Sequence, residues 1–105
     1  MHGITDSATG AGVVAENAAG GAALQVQGVA AFARSGLLTV AAGKSSATQT
    51  GVALTAASLV LATLQQHATG VYVQAAVPSV TGSSFTVYLS KAPTASAKVA
   101  WFVVN

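Results

Sequence analysis

Alternation of apolar and polar positions is clearest near the C-terminus. Phe85, Val87 and Leu89 fall on one side of an extended chain, with Thr86 and Tyr88 on the other, the two-residue period of a strand. Residues 98–105 continue in the same texture and carry the only tryptophan, Trp101. Both stretches are rich in β-branched and aromatic residues, which pack well on a pleated surface. The final stretch therefore reads as a central strand.

From Ser35 onward the pattern gives six strands, at about 37–42, 49–54, 58–65, 70–77, 84–90 and 98–104. The breaks between them carry turn chemistry, as in Ala42-Gly43-Lys44-Ser45-Ser46, His67-Ala68-Thr69-Gly70, residues 78–83 and Ala92-Pro93-Thr94. Short strands at this spacing predict an all-β, six-stranded antiparallel sandwich over residues 34–105. In the fourth strand Val71, Val73 and Val77 are placed on one face, with Tyr72 and Gln74 on the other. In the third, Leu59 and Leu61 oppose Val60 and Ala62. That strand is apolar on both sides, as expected between a core and a partner surface.

Residues 1–33 differ in texture. Gly3-Ile4 and Gly12-Val13 begin similar units, and Gly20-Gly21 and Gly28-Val29 continue the pattern loosely. Glycine recurs too often for one helix, although alanine favours helix. Short extended β segments separated by turns are expected instead. Many glycines make such a backbone costly to order. Its side chains are too apolar for a charged disordered tail. Residues 1–33 are thus expected to be a trimerising segment, ordered through neighbouring copies.

Composition sharpens this picture. Hydrophobic residues make up 52% of the 105 residues and charged residues 6%, against about 25% charged in an ordinary soluble domain. A small monomer has much surface for its volume, so this chain is expected to bury surface against copies of itself. The net charge of +2 arises from Arg34, Lys44, Lys91 and Lys98 against Asp6 and Glu16. Four scattered cations make no nucleic-acid-binding stripe. The longest apolar run, residues 51–64, is shorter than the roughly 20 residues of a membrane-spanning helix. No signal peptide is evident at the N-terminus. There is no cysteine, and hence no disulfide framework or thiolate metal site.

Candidate chemistry is sparse. Gly10-Ala11-Gly12-Val13-Val14-Ala15 imitates a dinucleotide fingerprint, but no buried strand precedes it and no acid follows about 20 residues on. Gly43-Lys44-Ser45 resembles the end of a phosphate loop, yet Leu38 stands where the earlier glycine is required. His67 reads as loop surface, and one ligand makes no metal site. No carboxylate lies in residues 34–105, so general acid–base catalysis or a Ser-His-Asp arrangement lacks its parts. The reading is of a protein that is not an enzyme, with no catalytic residue, metal or cofactor. Tyr72, Tyr88, Trp101 and Phe102 are aromatics that serve a core or an intersubunit surface more readily than a ligand groove. Tyr72, Tyr88 and Lys91 are retained as the ligand-binding candidates.

The stretch from Ser35 onward resembles the H-type lectin domain. The resemblance lies in Ser35-Gly36, Leu59-Val60-Leu61, Val71-Tyr72-Val73 leading to Ser79-Val80, Phe85, and the closing Val99-Ala100-Trp101-Phe102-Val103-Val104-Asn105. It covers about two-thirds of the chain, and its most specific part is the closing Trp-hydrophobic-x-hydrophobic-Asn pattern. It implies a six-stranded antiparallel sandwich that assembles as a homotrimer. The Gly-Val units of the N-terminal segment look like repeats of bacterial and phage fibre proteins. That likeness implies a thermostable structural module in a fibre or particle, extracellular or virion-associated, with adhesion as a further role. A carbohydrate-binding module of altered specificity is the alternative. The lectins' sugar-binding Arg aligns with about Ala76, and their His and aromatics with Lys91-Ala92-Pro93-Thr94. Their early Asp has no counterpart between Ser35 and Gly51.

Overall fold

The computed structural model of the chain describes residues 2–105. The chain divides into two units, one ending at Ala31 and a second spanning Phe32–Asn105.

In the first unit, residues 2–31 contain neither helix nor strand, and every one of them is exposed. Of the β segment expected over 1–33, the described residues 2–33 form no ladder within this chain. Small side chains bury too little area to hold an extended backbone in place, and local turns win. Ser7 Oγ accepts the N–H of Thr9 (3.3 Å) and of Gly10 (3.1 Å). Asn17 Oδ1 accepts the Ala19 N–H (3.0 Å). These are the side-chain-to-backbone turns that Ser and Asn offer in competition with regular structure.

The second unit holds six antiparallel strands: β1 Ser35–Val40, β2 Ser46–Gln49, β3 Leu59–Leu64, β4 Val73–Ser79, β5 Ser84–Leu89 and β6 Ala97–Val104. They form two three-stranded sheets, ordered β1-β6-β3 and β2-β5-β4. The two stretches with the clearest strand patterning, β5 and β6, are each the centre of a sheet. Phe85, Val87 and Leu89 of β5 point inward, as do Val99, Trp101 and Val103 of β6. With Leu38 and Val40 of β1 they make one core shared by both sheets. The rings of Phe85 and Trp101 meet edge to face at 5.1 Å, a favoured aromatic geometry.

Three strand assignments move. The strand expected over 49–54 is Ser46–Gln49 instead. Gly51 turns the backbone at φ +71°, a conformation that glycine adopts without strain. Val52 and Leu54 are buried all the same, so their alternation reflects core anchoring by a loop. Val52 N–H donates to the Ser83 carbonyl (2.9 Å). The strand expected over 70–77 runs over Val73–Ser79 and passes through Pro78. Proline is tolerated because β4 is an edge strand. An irregularity between Val73 and Ala75 also reverses the facing of β4. Val73 packs on the core, whereas Val77, expected on the same side, is exposed. The first strand starts at Ser35 and ends at Val40, ahead of the expected 37–42.

Ser58 is the buried polar residue of the core region. Its Oγ accepts the Thr55 N–H at 2.8 Å, and its hydroxyl donates to the backbone oxygen of Asn105. It thereby ties the loop before β3 to the end of β6. Ser58→Ala would strand both partners and is expected to cost about 1–3 kcal/mol. A lower urea midpoint at unchanged slope is the expected readout.

Candidate functional site

The two sheets present very different outer faces. On the second sheet, Ser46 and Thr48 of β2, Ser84, Thr86 and Tyr88 of β5, and Ala75, Val77 and Ser79 of β4 share the outside by register. Thr48 and Thr86 hydrogen bond through their hydroxyls at 2.8 Å. This is a half-solvated antiparallel sheet of the ordinary kind.

The first sheet breaks that rule. Its outer face aligns Leu37 with Ala100, Leu61 with Phe102, and Leu59 with Val104. Leu37, Leu59 and Leu61 are 61%, 57% and 55% exposed. Phe32 leans on Phe102, ring centroids 4.9 Å apart, and is itself exposed. A shallow depression of about 240 Å³ lies among Leu61, Thr63, Ala100 and Phe102. The polar groups of this face are Ser35 at one end, Thr63 beside Ala100, and, at the other end, Lys98, whose ammonium donates to Thr39 Oγ1 (2.6 Å). Apolar side chains from all three strands thus adjoin on this exposed face.

The expectation that β3 is apolar on both sides is met: Val60, Ala62 and Leu64 pack on the core while Leu59 and Leu61 face out. Leu37 and Phe32 were not singled out from the sequence. The doublet Leu37-Leu38 is the available signal, since neighbouring leucines in a strand must face opposite ways.

At one end of the second unit the β3–β4 and β5–β6 loops meet. Ser90 Oγ donates to the Gly70 carbonyl (2.7 Å) and accepts the Tyr72 N–H (3.0 Å). Ser90 N–H donates to the Tyr72 carbonyl (2.9 Å). A cleft of about 400 Å³ opens between the loops, with Gln66, His67, Thr69, Lys91 and Thr94 in its walls. A second, of about 320 Å³, runs between the end of β3 and the segment before β4. Tyr72 lines this one, and Gln66 and His67 line both. Two of the three ligand-binding candidates, Tyr72 and Lys91, therefore come to the same end of the fold. Tyr88 lies on the outer face of β5 and lines neither cleft. His67, read from the sequence as plain loop surface, stands in both. Its signal was sequence position alone, between two strands whose loops converge only in three dimensions.

Ala76, aligned with the lectins' arginine, packs against the core. The Gly43-Lys44-Ser45 stretch is a turn in which the Gly43 N–H donates to the Pro93 carbonyl (2.9 Å) and the Lys44 N–H to that of Ala41 (3.1 Å). Asp6 and Glu16 belong to the first unit. Among the described residues, no three of His, Cys, Asp and Glu gather where they could hold a metal ion, and no helix is long and apolar enough to cross a membrane. Searches against protein-family models, curated proteins and solved structures return no match to this chain.

Proposed function

We propose that this chain is a non-catalytic assembly module: an H-type lectin-like β-sandwich that forms a homotrimer within a fibre-like or particle-associated protein, with adhesion as a further role. The observation that supports it is the exposed apolar outer face of the β1-β6-β3 sheet. Burying such area contributes about 25 cal/mol per Å², and an antiparallel sheet that faced water would carry polar residues there. The scarcity of charge, at 6% of residues, points the same way. Light scattering across micromolar concentrations tests the reading. A mass of three chains is expected, and a monomer throughout would overturn it.

A second reading, a carbohydrate-binding module of altered specificity, draws on the cleft that Lys91 and His67 line together. A glycan-binding screen separates the two readings. Galactose-type sugars are expected to bind weakly or not at all at the position of Ala76, because alanine lacks the forked donors that arginine offers to hydroxyls. Tight calorimetric binding abolished by substitutions near Ala76 and Lys91 would refute that expectation.

A further inference from the structure

The edges of the β1-β6-β3 sheet are as informative as its outer face. An edge strand exposes unpaired N–H and C=O groups, and natural proteins blunt it with proline, charge, bulges or short length. In the other sheet, β2 has four residues, and β4 carries both Pro78 and a register irregularity. In this sheet β1 contains Gly36 and is entered through Arg34, whose guanidinium donates to the Ala53 carbonyl (3.0 Å). β3 has none of these devices. Its six residues, LVLATL, include no charge, proline or glycine.

β3 pairs with β6 alone. The Gln65 N–H donates to the Lys98 carbonyl (2.9 Å). Backbone groups of successive residues in an antiparallel strand point to alternate sides. Thr63 and Leu61 therefore bond toward β6, and the N–H groups of Val60, Ala62 and Leu64 face the open edge. The cleft of about 320 Å³ that Tyr72 lines follows this edge, with Ala62 and Leu64 in its wall.

In the first unit one exposed stretch has a strand pattern and no ladder partner among the described residues. Across residues 22–27, Leu24 and Val26 alternate with Gln25 and Gln27, and Leu24 and Val26 are exposed. Gly21 precedes the stretch, and Gly28 follows it at φ +109°. It matches β3 in length. Charge favours an encounter between copies. The acids Asp6 and Glu16 lie in the first unit, which has no Lys or Arg, whereas Phe32–Asn105 carries Arg34, Lys44, Lys91 and Lys98 and no acid.

We propose that residues 22–27 of a second copy add as a strand to the open edge of β3. This is β-strand addition, in which main-chain hydrogen bonds supply affinity and alternate side chains set the register. It rests on the self-association reading and names the contact through which one copy holds the next.

The test uses the full-length protein, with hydrogen exchange and light scattering measured together. In the oligomer, alternate amides within 22–27 and those of Val60, Ala62 and Leu64 are expected to exchange at least ~10-fold more slowly than in the diluted monomer, as for groups released only on opening. Leu24→Lys with Val26→Lys changes only exposed positions and should abolish protection at both segments. Ala62→Pro removes an edge-facing N–H, the placement at which an edge strand tolerates proline, and should do the same. An intact oligomer in which residues 22–27 exchange like a free peptide would overturn strand addition and leave the assembly reading standing. A monomer at every concentration would overturn both.

Discussion

Trp101→Ala is expected to lower the stability of the Phe32–Asn105 unit by about 3–5 kcal/mol, the usual cost of truncating a buried aromatic. Trp101 lies on the inner face of the central strand β6 and contacts Phe85 edge to face. Gly36, its register partner on β1, makes room for the indole: a Cβ there would lie 3.3 Å from the ring. No neighbour moves easily into the space that alanine would leave, because the indole bridges two sheets held by separate ladders. Domains of this size are stable by only about 5–15 kcal/mol. The melting temperature should therefore fall by more than about 10 °C. The buried indole Nε1 makes no hydrogen bond to the described residues, and most of what the side chain contributes is apolar area. Trp101→Phe is accordingly expected to cost clearly less than Trp101→Ala. No loss from either substitution would place the tryptophan outside the core, and equal large losses would mean that the indole N–H makes a bond.

The second large effect is on mass. Leu61→Glu puts a carboxylate at the centre of the exposed face of the β1-β6-β3 sheet, beside Phe102. In a monomer that position faces water, and a surface substitution changes stability by less than about 0.5 kcal/mol. In an assembly that covers the face, an unpaired carboxylate costs several kcal/mol per buried copy. For the proposed trimer the expected result is dissociation to monomer at micromolar concentration, with the far-ultraviolet spectrum retained. Val77→Glu, on the outer face of the other sheet, is the control and should leave the mass unchanged. Dissociation by both substitutions would move the interface off this face. Dissociation by neither would remove the face from the assembly.

Much of this site lies in plain view in the sequence once facing is considered. Leu59 and Leu61 alternate with Val60 and Ala62, and a strand that is apolar on both sides needs two apolar neighbours. What pattern alone could not supply was the company those leucines keep. Leu37, Phe102 and Val104 join them through the β1–β6 and β6–β3 registers, and register is a pairing between segments distant in sequence. The loop-end clefts are similar, since His67 and Lys91 are brought together only by the closure of two loops.

By itself the sequence determined the all-β class, the positions of β3, β5 and β6 to within a residue or two, and the facing of Phe85, Val87 and Leu89 in β5. Those elements are short runs rich in β-branched, aromatic and other large apolar side chains, strictly alternating in β5, and that signal is local. Its 6% of charged residues also raised the expectation of surface buried against other copies. The tertiary structure decided the rest. Val52 and Leu54 alternate as a strand does, yet Gly51 turns them out of the ladder and the core still buries them. Val73 and Val77 share a parity, yet an irregularity in β4 sends them to opposite faces. Burial depends on what stands opposite a residue, and a single turn or bulge resets that relation for every residue beyond it.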